Sequence, residues 1–244
     1  MLFSKIAIIG NGNIGSWLAE VLKNQNHLSV FSVSSRKIEI LPQHCDLYIF
    51  AVKDDIYEMV LQQTPFRMPS AVHTSGSLSQ HILAPYSDKF GVLYPYQTIT
   101  QKAEGRKQKA EDEYDSEVPI CVEGSDSIFE EALYGWATSN FDIVYKVSEK
   151  QRFAMHLAAV FANNFTNAMY NVAHQIFREN NLDWSFIFPL LENTLEKAKH
   201  NVPSTVQTGP AKRGDVTIME KHYHELQNED LKTLYRLISK IIQQ

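Results

Sequence analysis

The sequence predicts an α/β fold, a doubly wound and mostly parallel sheet, followed by an all-α C-terminal domain. Three observations support it. The apolar run Lys5-Ile6-Ala7-Ile8-Ile9 leads through the glycine-rich stretch 10–15 straight into the helix-periodic segment Ser16 to Leu22. Short apolar strands then alternate with helical stretches as far as Val147, which is the pattern of successive βαβ units. From Ser148 onward nearly every segment carries a helical period.

Composition narrows the class. A chain of 244 residues with 44% hydrophobic content can bury one large core or two modest ones, and wholesale disorder is excluded. A net charge of -5 argues against a general nucleic-acid binder, which needs a basic field. Cys45 and Cys121 provide neither a disulfide framework nor metal-ligand spacing. The first apolar run is broken by Gly10 and Asn11, and no stretch approaches 18 apolar residues, so neither a signal peptide nor a membrane span is expected. The expectation is a soluble cytoplasmic enzyme.

The first strand, glycine turn and helix start form the dinucleotide-binding fingerprint in the context that gives it meaning, a Rossmann domain. Gly10 permits a sharp turn, Gly12 lets a pyrophosphate approach the backbone, and Gly15 lets helix and strand pack closely. Bare N–H groups at the helix start then face the phosphates. Gly10, Asn11, Gly12, Asn13, Ile14 and Gly15 are therefore expected at the cofactor. The second strand, Leu28 to Val33, ends at Ser34, Ser35 and Arg36. An NAD site places a carboxylate here for the ribose 2′-hydroxyl; an arginine beside two hydroxyls suits a 2′-phosphate instead. The register thus favours NADP, the other reading being that Arg36 is an ordinary solvated charge.

Asp46 to Val52 is the next strand, and ligands in open α/β sheets sit beyond the carboxyl ends of strands. Ala51, Val52 and Lys53 are expected at the cofactor cleft, while Asp54 reads equally as a cleft residue or as the cap of a helix over Ile56 to Gln63. Strand Ser70 to Thr74 delivers Ser75 and Gly76 to the same edge, and Phe90 to Tyr94 delivers Pro95 to Thr98. Residues 100–117 alternate charges without apolar period and read as a solvated loop, a frayed helix or a lid. Val118 to Val122 and Phe141 to Tyr145 read as further strands around a helix from Ile128 to Ser139. The boundary falls between residues 147 and 148, giving an NADP-binding domain (1–147) and a helical domain for substrate binding and dimerisation (148–244).

Ser148 opens a helical pattern that continues to about Asn180, roughly 45 Å at 1.5 Å per residue. At 100° per residue, Phe161, Phe165, Ala168, Met169, Val172 and Ile176 share one side. His156, Asn163, Asn167, Tyr170, Asn171 and His174 lie opposite. A polar stripe with several amides and few charges suits a cleft or a helix interface, where each amide needs a partner. Helices over Trp184 to His200, starting or kinking at Pro189, and over Val216 to Ile242, broken near Asn228 to Asp230, complete the chain. Two apolar faces in this half lead us to expect a homodimer.

Hydride transfer needs an acceptor carbon held against the nicotinamide and, for a carbonyl, a group that protonates or polarises the oxygen. His156 is the first candidate for that group and His73, at a strand tip, the second, since histidine suits acid–base work near neutral pH. Asn163 and Asn167 are candidates for hydrogen bonds to the acceptor. Arg213 is the natural anchor for a substrate carboxylate or phosphate. Asp215 reads as a helix cap. His222 and His224, two residues apart, point to different faces, so no metal site is expected.

Several of these stretches carry a likeness beyond their chemistry. The glycine fingerprint, Ala51-Val52-Lys53-Asp54-Asp55, His73-Thr74-Ser75-Gly76-Ser77, Tyr94-Pro95-Tyr96-Gln97-Thr98, Val118-Pro119-Ile120, Asn163-Asn164-Phe165-Thr166-Asn167 and the run from Gln207 to Asp215 span nearly the whole chain. They resemble the predicted NADP-dependent oxidoreductases that join a Rossmann domain to an all-helical C-terminal domain of unassigned function. That Rossmann domain is similar to those of pyrroline-5-carboxylate reductase and the deazaflavin-dependent NADP oxidoreductases. Thr208-Gly209-Pro210 also resembles the Thr-x-Pro turn by which pyrroline-5-carboxylate reductases bind substrate, which implies a substrate role for Thr208 and Gly209. The long helix is similar to the substrate-side helix of β-hydroxyacid dehydrogenases, but His156 followed by Val160 does not reproduce their lysine and asparagine pair, so their proton donor is not carried over. The expected function is NADP-dependent hydride transfer to or from a small carbonyl or imine. The alternative is a catalytically silent NADP-binding sensor or interaction protein.

Overall fold

A computed structural model describes residues 3–100 and 117–244; most of the charged segment read above as a loop or lid, 101–116, lies outside the described residues. The chain forms two compact units, Met1–Thr166 and Asn167–Gln244. The change from mixed to helical structure comes earlier, at Ser148, which caps its helix in a reciprocal box with Gln151.

The first unit is built on strands β1 (Lys5–Ile9), β2 (Ser29–Val33), β3 (Leu47–Phe50), β4 (Met68–His73), β5 (Ser87–Pro95), β6 (Ile120–Gly124) and β7 (Val144–Lys146). Their spatial order is β2-β1-β3-β4-β5-β6-β7. The strands from β2 to β5 pair in parallel, β6 runs antiparallel to β5, and β7 is parallel to β6. Strand order reverses between β1 and β3, which creates the crevice where ligands of such sheets bind. The period-two alternation of β-strands explains the continuous apolar runs. Ile6 and Ile8 join one core with Leu47, Ile49 and Val72, while Ala7 and Ile9 join the other with Tyr48, Phe50 and Ala71.

Helices cover both faces. On one, α1 (Asn13–Lys23) contributes Trp17, Leu18 and Leu22, and α3 (Ser127–Thr138) contributes Phe129, Leu133 and Trp136. On the other, α2 (Tyr57–Gln62) contributes Tyr57, Val60 and Leu61. Phe141, expected to open the last strand, is instead a buried anchor stacked on Trp17, and β7 starts three residues later at Val144.

The helix beginning at Ser148 is not uniform. After α4 (Glu149–Ala159) a π-helical turn, Val160–Phe165, precedes α5 (Thr166–Glu179). A π-turn inserts residues relative to α-helical period, so faces computed at a constant 100° per residue do not continue through it. The second unit contains most of α5 with α6 (Phe188–His200), a single turn α7 (Pro210–Arg213), α8 (Val216–Glu225) and α9 (Glu229–Gln243). Pro189 sits in the first turn of α6, Asn228 caps α9, and Asp215 caps α8 by accepting from the Ile218 N–H. Gly214, at φ 69°, ends α7 in the left-handed conformation. Large apolar side chains remain exposed throughout this unit, among them Ile176, Phe186, Leu190, Leu195, Leu237 and Ile241. Among the described residues no helix is long and apolar enough to cross a membrane.

Candidate functional site

The glycine turn is knitted to the ends of all three strands around the crevice. Gly10 N–H donates to the Val33 carbonyl at 2.9 Å, and Ala51 N–H donates to the Ile9 carbonyl at 2.8 Å. Gly10 sits at φ 116°, and a Cβ there would lie 2.2 Å from the Ala51 oxygen. A Cβ on Gly15 would lie 2.0 Å from the Gly10 oxygen. A Cβ on Gly12, by contrast, would meet nothing within 4 Å. The space over Gly12 opens at the start of α1, where no side chain caps the helix and no acidic residue stands in the first turn. Open space, a helix N-terminus and an absence of nearby carboxylates in that turn fit a dinucleotide pyrophosphate. Beyond β2, Ser34 and Arg36 form one turn, with the Arg36 N–H donating to Ser34 Oγ at 3.3 Å, and Arg36 and Lys37 are exposed. The Asn13 amide donates to the Ile99 carbonyl at 3.0 Å, so that candidate also pins the segment after β5.

A cavity of about 460 Å³ lies against this edge, within the first unit. It is lined by the predicted residues Ile14, Val52, Ser75, Gly76, His156 and Asn163, together with Asp54, Tyr94, Tyr96, Thr98 and Asn164. Ala51 is buried beneath the turn and Lys53 is exposed outside the lining. Asp54 does not cap a helix with its side chain; its carboxylate accepts from the hydroxyls of Ser75 and Ser77, at 2.9 and 2.5 Å, and so joins the tips of β3 and β4. The π-turn explains the presence of Asn164, which a regular helix would turn about 80° away from the polar stripe: the extra residue in that turn lets Ala162, Asn163 and Asn164 all border the cavity. The Asn163 amide donates to Thr98 Oγ1, joining this turn to the segment after β5.

His156 Nδ1 and the Tyr94 hydroxyl share a hydrogen bond of 3.1 Å, with the rings edge to face. Burial pushes the Tyr94 hydroxyl up to about 12, so it keeps its proton throughout the neutral range. With Nδ1 engaged, Nε2 is the remaining polar atom of the imidazole. Gly76 allows this arrangement, because a Cβ there would lie 2.6 Å from His156 Nδ1 and 2.9 Å from Tyr94 Cζ.

His73 has a different fate. It is fully buried, lies outside the cavity lining, and accepts from the Ser75 N–H through Nδ1 at 3.2 Å. Burial, helped by the charge of Arg152, lowers it from 6.5 to about 4 and holds it neutral. A strand tip pointed into the core looks, in sequence, like one pointed into the cleft. Because the unfolded chain binds the proton more readily, the stability owed to neutral His73 is fully present above pH 6.5 and is lost as pH falls toward 4. Thermal unfolding of His73→Gln should accordingly be less pH-dependent across that window than unfolding of the native chain; equal slopes would refute the assignment.

The remaining candidates lie in the second unit. Thr208 and Gly209 line a cavity of about 640 Å³ with Met169, Val172, Leu234 and Ile238. Arg213 ends α7 and is exposed, and Asn167 is exposed on α5. His222 pairs with the Tyr235 hydroxyl at 3.0 Å.

Sequence reasoning missed two elements of the first site. Tyr94 was placed at a strand tip but given no role. Arg152, 0% exposed, forms an ion pair at 3.3 Å with Glu123 of β6 and was not singled out at all. Its signal was Glu123, a carboxylate ending the apolar run of a strand buried on both faces, which requires a partner.

Fold and site together define a dinucleotide-binding protein with a small-molecule cavity at the switch point of its sheet. The family described as Domain of unknown function (DUF2520) matches residues 118–242, just over half of the chain, and the chain belongs to that family. Over 99% of its length it is similar to the crystal structure of BF3122 from Bacteroides fragilis, provisionally described as an NADP oxidoreductase, at 27% identity and TM-score 0.82, with 98% of that chain covered. It shares its fold with an imine reductase from Aspergillus terreus solved with NADPH4 and dibenz[c,e]azepine, at 13% identity and TM-score 0.65, covering 99% of this chain and 94% of that one. It likewise shares its fold with a Plasmodium falciparum pyrroline carboxylate reductase solved with NADP bound, at 14% identity and TM-score 0.54, with both chains covered completely. No curated protein matches the sequence.

Proposed function

We propose that this protein is an NADP-dependent oxidoreductase that moves a hydride between the nicotinamide and the carbonyl or imine carbon of a small substrate in the 460 Å³ cavity. The observation that carries the reading is the hydrogen-bonded pair Tyr94–His156 in the wall of a cavity that also reaches Ile14 at the start of the fingerprint helix. The descriptions of the related structures as NADP oxidoreductase, imine reductase and NADP-bound pyrroline carboxylate reductase support it.

Bound NADP supplies the hydride carrier. The chain's own residues do the rest. Gly12 and the N-terminus of α1 would hold the pyrophosphate, and Ser34, Ser35 and Arg36 would hold the 2′-phosphate. Val52, Ser75 and Gly76 line the cavity where the nicotinamide would bind. His156, its Nδ1 held by Tyr94, presents Nε2 as the group that hands a proton to the developing oxygen or nitrogen, or takes one in the reverse direction. Asn163 orients the acceptor by hydrogen bonding. The cavity volume lies within the usual small-molecule range.

The cofactor choice has its own expected result. Arg36→Ala should weaken NADPH binding by roughly 10-fold or more, the size of one charge-assisted phosphate contact, while NADH affinity hardly changes. Isothermal titration showing that the native chain prefers NADH would refute the assignment. Enzyme and silent sensor separate by turnover: a panel of ketoacids, aldehydes and cyclic imines that never oxidises NADPH would favour the sensor. The apolar side chains left exposed on the second unit support a homodimer through that unit; sedimentation equilibrium reporting a monomer would remove the dimer.

A further inference from the structure

Glu149, Arg152 and His156 are spaced three and four residues apart on α4 and therefore share one face. All three meet the segment that follows β4. Glu149 accepts from the Ser79 hydroxyl at 2.6 Å. Arg152 donates through Nη1 to the Ser75 carbonyl at 3.0 Å and through Nη2 to the Leu78 carbonyl at 2.8 Å. His156 stands against Gly76. On its far side Arg152 donates through both Nε and Nη2 to one oxygen of Glu123, at 3.3 Å each. The other Glu123 oxygen accepts from the Gln80 amide at 3.1 Å. A single guanidinium thus ties α4, the 75–78 loop and β6 together, one helical turn before the histidine.

Fold stability alone does not account for this pair. Removing two charges from water offsets most of their attraction, and apolar side chains of similar size commonly replace a buried ion pair without loss. Apolar side chains could not, however, hold two carbonyl oxygens of a loop whose residues Ser75 and Gly76 border the cavity. We propose that Arg152 is the positioning residue of the site: held by Glu123, it fixes the Ser75–Leu78 backbone against α4 and thereby sets His156 in its contact with Tyr94. The inference rests on the proposed role of His156.

The test is the double variant Arg152→Met/Glu123→Met, which leaves no uncompensated buried charge, with Arg152→Lys beside it. Circular dichroism and thermal unfolding establish that each folds. In the double variant the imidazole 15N shift of His156 should lose its hydrogen-bonded value at Nδ1, and kcat should fall by about 30-fold or more with the acceptor KM within about threefold. Arg152→Lys, which keeps the charge but not the fork, should fall between. A folded double variant with native kcat and a native His156 spectrum would overturn the proposal. If the double variant does not fold, Arg152→Lys decides by the same two readouts, and native values there overturn it equally. The 15N readout needs no turnover, so a native chain inert toward every acceptor would remove the enzymatic reading while the spectrum still settles whether Arg152 positions His156.

Discussion

Replacing His156 by alanine should lower turnover by about 100-fold or more, the usual contribution of a positioned acid–base group, while NADPH affinity stays within about threefold. The separation follows from geometry. His156 lies on α4 and meets Tyr94 and Gly76, whereas the residues expected to hold the phosphates sit on the glycine turn, the start of α1 and the end of β2. Tyr94→Phe should show a smaller loss in kcat, because it removes the partner of Nδ1 and leaves the ring in place. Steady-state kinetics with isothermal titration decide the matter. Loss of NADPH binding in parallel with turnover would place His156 in the cofactor site instead, and undiminished kcat would end its assigned role.

The second large effect is expected at Gly12. Valine there should fold normally, with a Tm within about 2 °C of the native chain, because a Cβ would meet no protein atom within 4 Å. Affinity for NADPH should nonetheless fall by about 100-fold, since the branched side chain occupies the space through which a pyrophosphate reaches the backbone. Gly10→Ala provides the contrast. Its backbone sits at φ 116° and its Cβ would lie 2.2 Å from a carbonyl oxygen, so that variant should unfold instead of merely releasing the cofactor. Differential scanning fluorimetry with and without NADPH distinguishes the two. A Gly12→Val chain that still gains thermal stability on adding NADPH would remove the fingerprint from the binding site.

Much of the chain was legible because its signals are local. The glycine spacing, the apolar strand runs, the helix caps at Ser148 and Asp215 and the helix break near Asn228 depend on residues a few positions apart, and each appears where local chemistry puts it. The tips of β4 and β5 were placed correctly for a similar reason, since strand direction in a parallel sheet dictates which edge they reach. His73 shows the limit of that argument. It has the residue type and chain position of a cleft histidine, and only the packing of the strand end shows that it faces the core. Asp54 shows another limit, for capping and cleft readings were equal until the Ser75 and Ser77 hydroxyls were seen to take its carboxylate.

What the sequence determined by itself was the glycine-turn side of the candidate site: a strand, turn and helix start whose open space over Gly12 fits a dinucleotide, with Arg36 beyond the second strand. These are properties of one contiguous segment and its sterics. Only the tertiary structure decided the other wall. Tyr94 and His156 are 62 residues apart, and Glu123 and Arg152 are 29 apart, so their pairing depends on sheet order and on the seating of α4. The π-turn at Val160–Phe165 then rotates Asn164 onto a face that a constant helical period denies it. Contacts at such separations follow from how whole elements pack, which local periodicity does not encode.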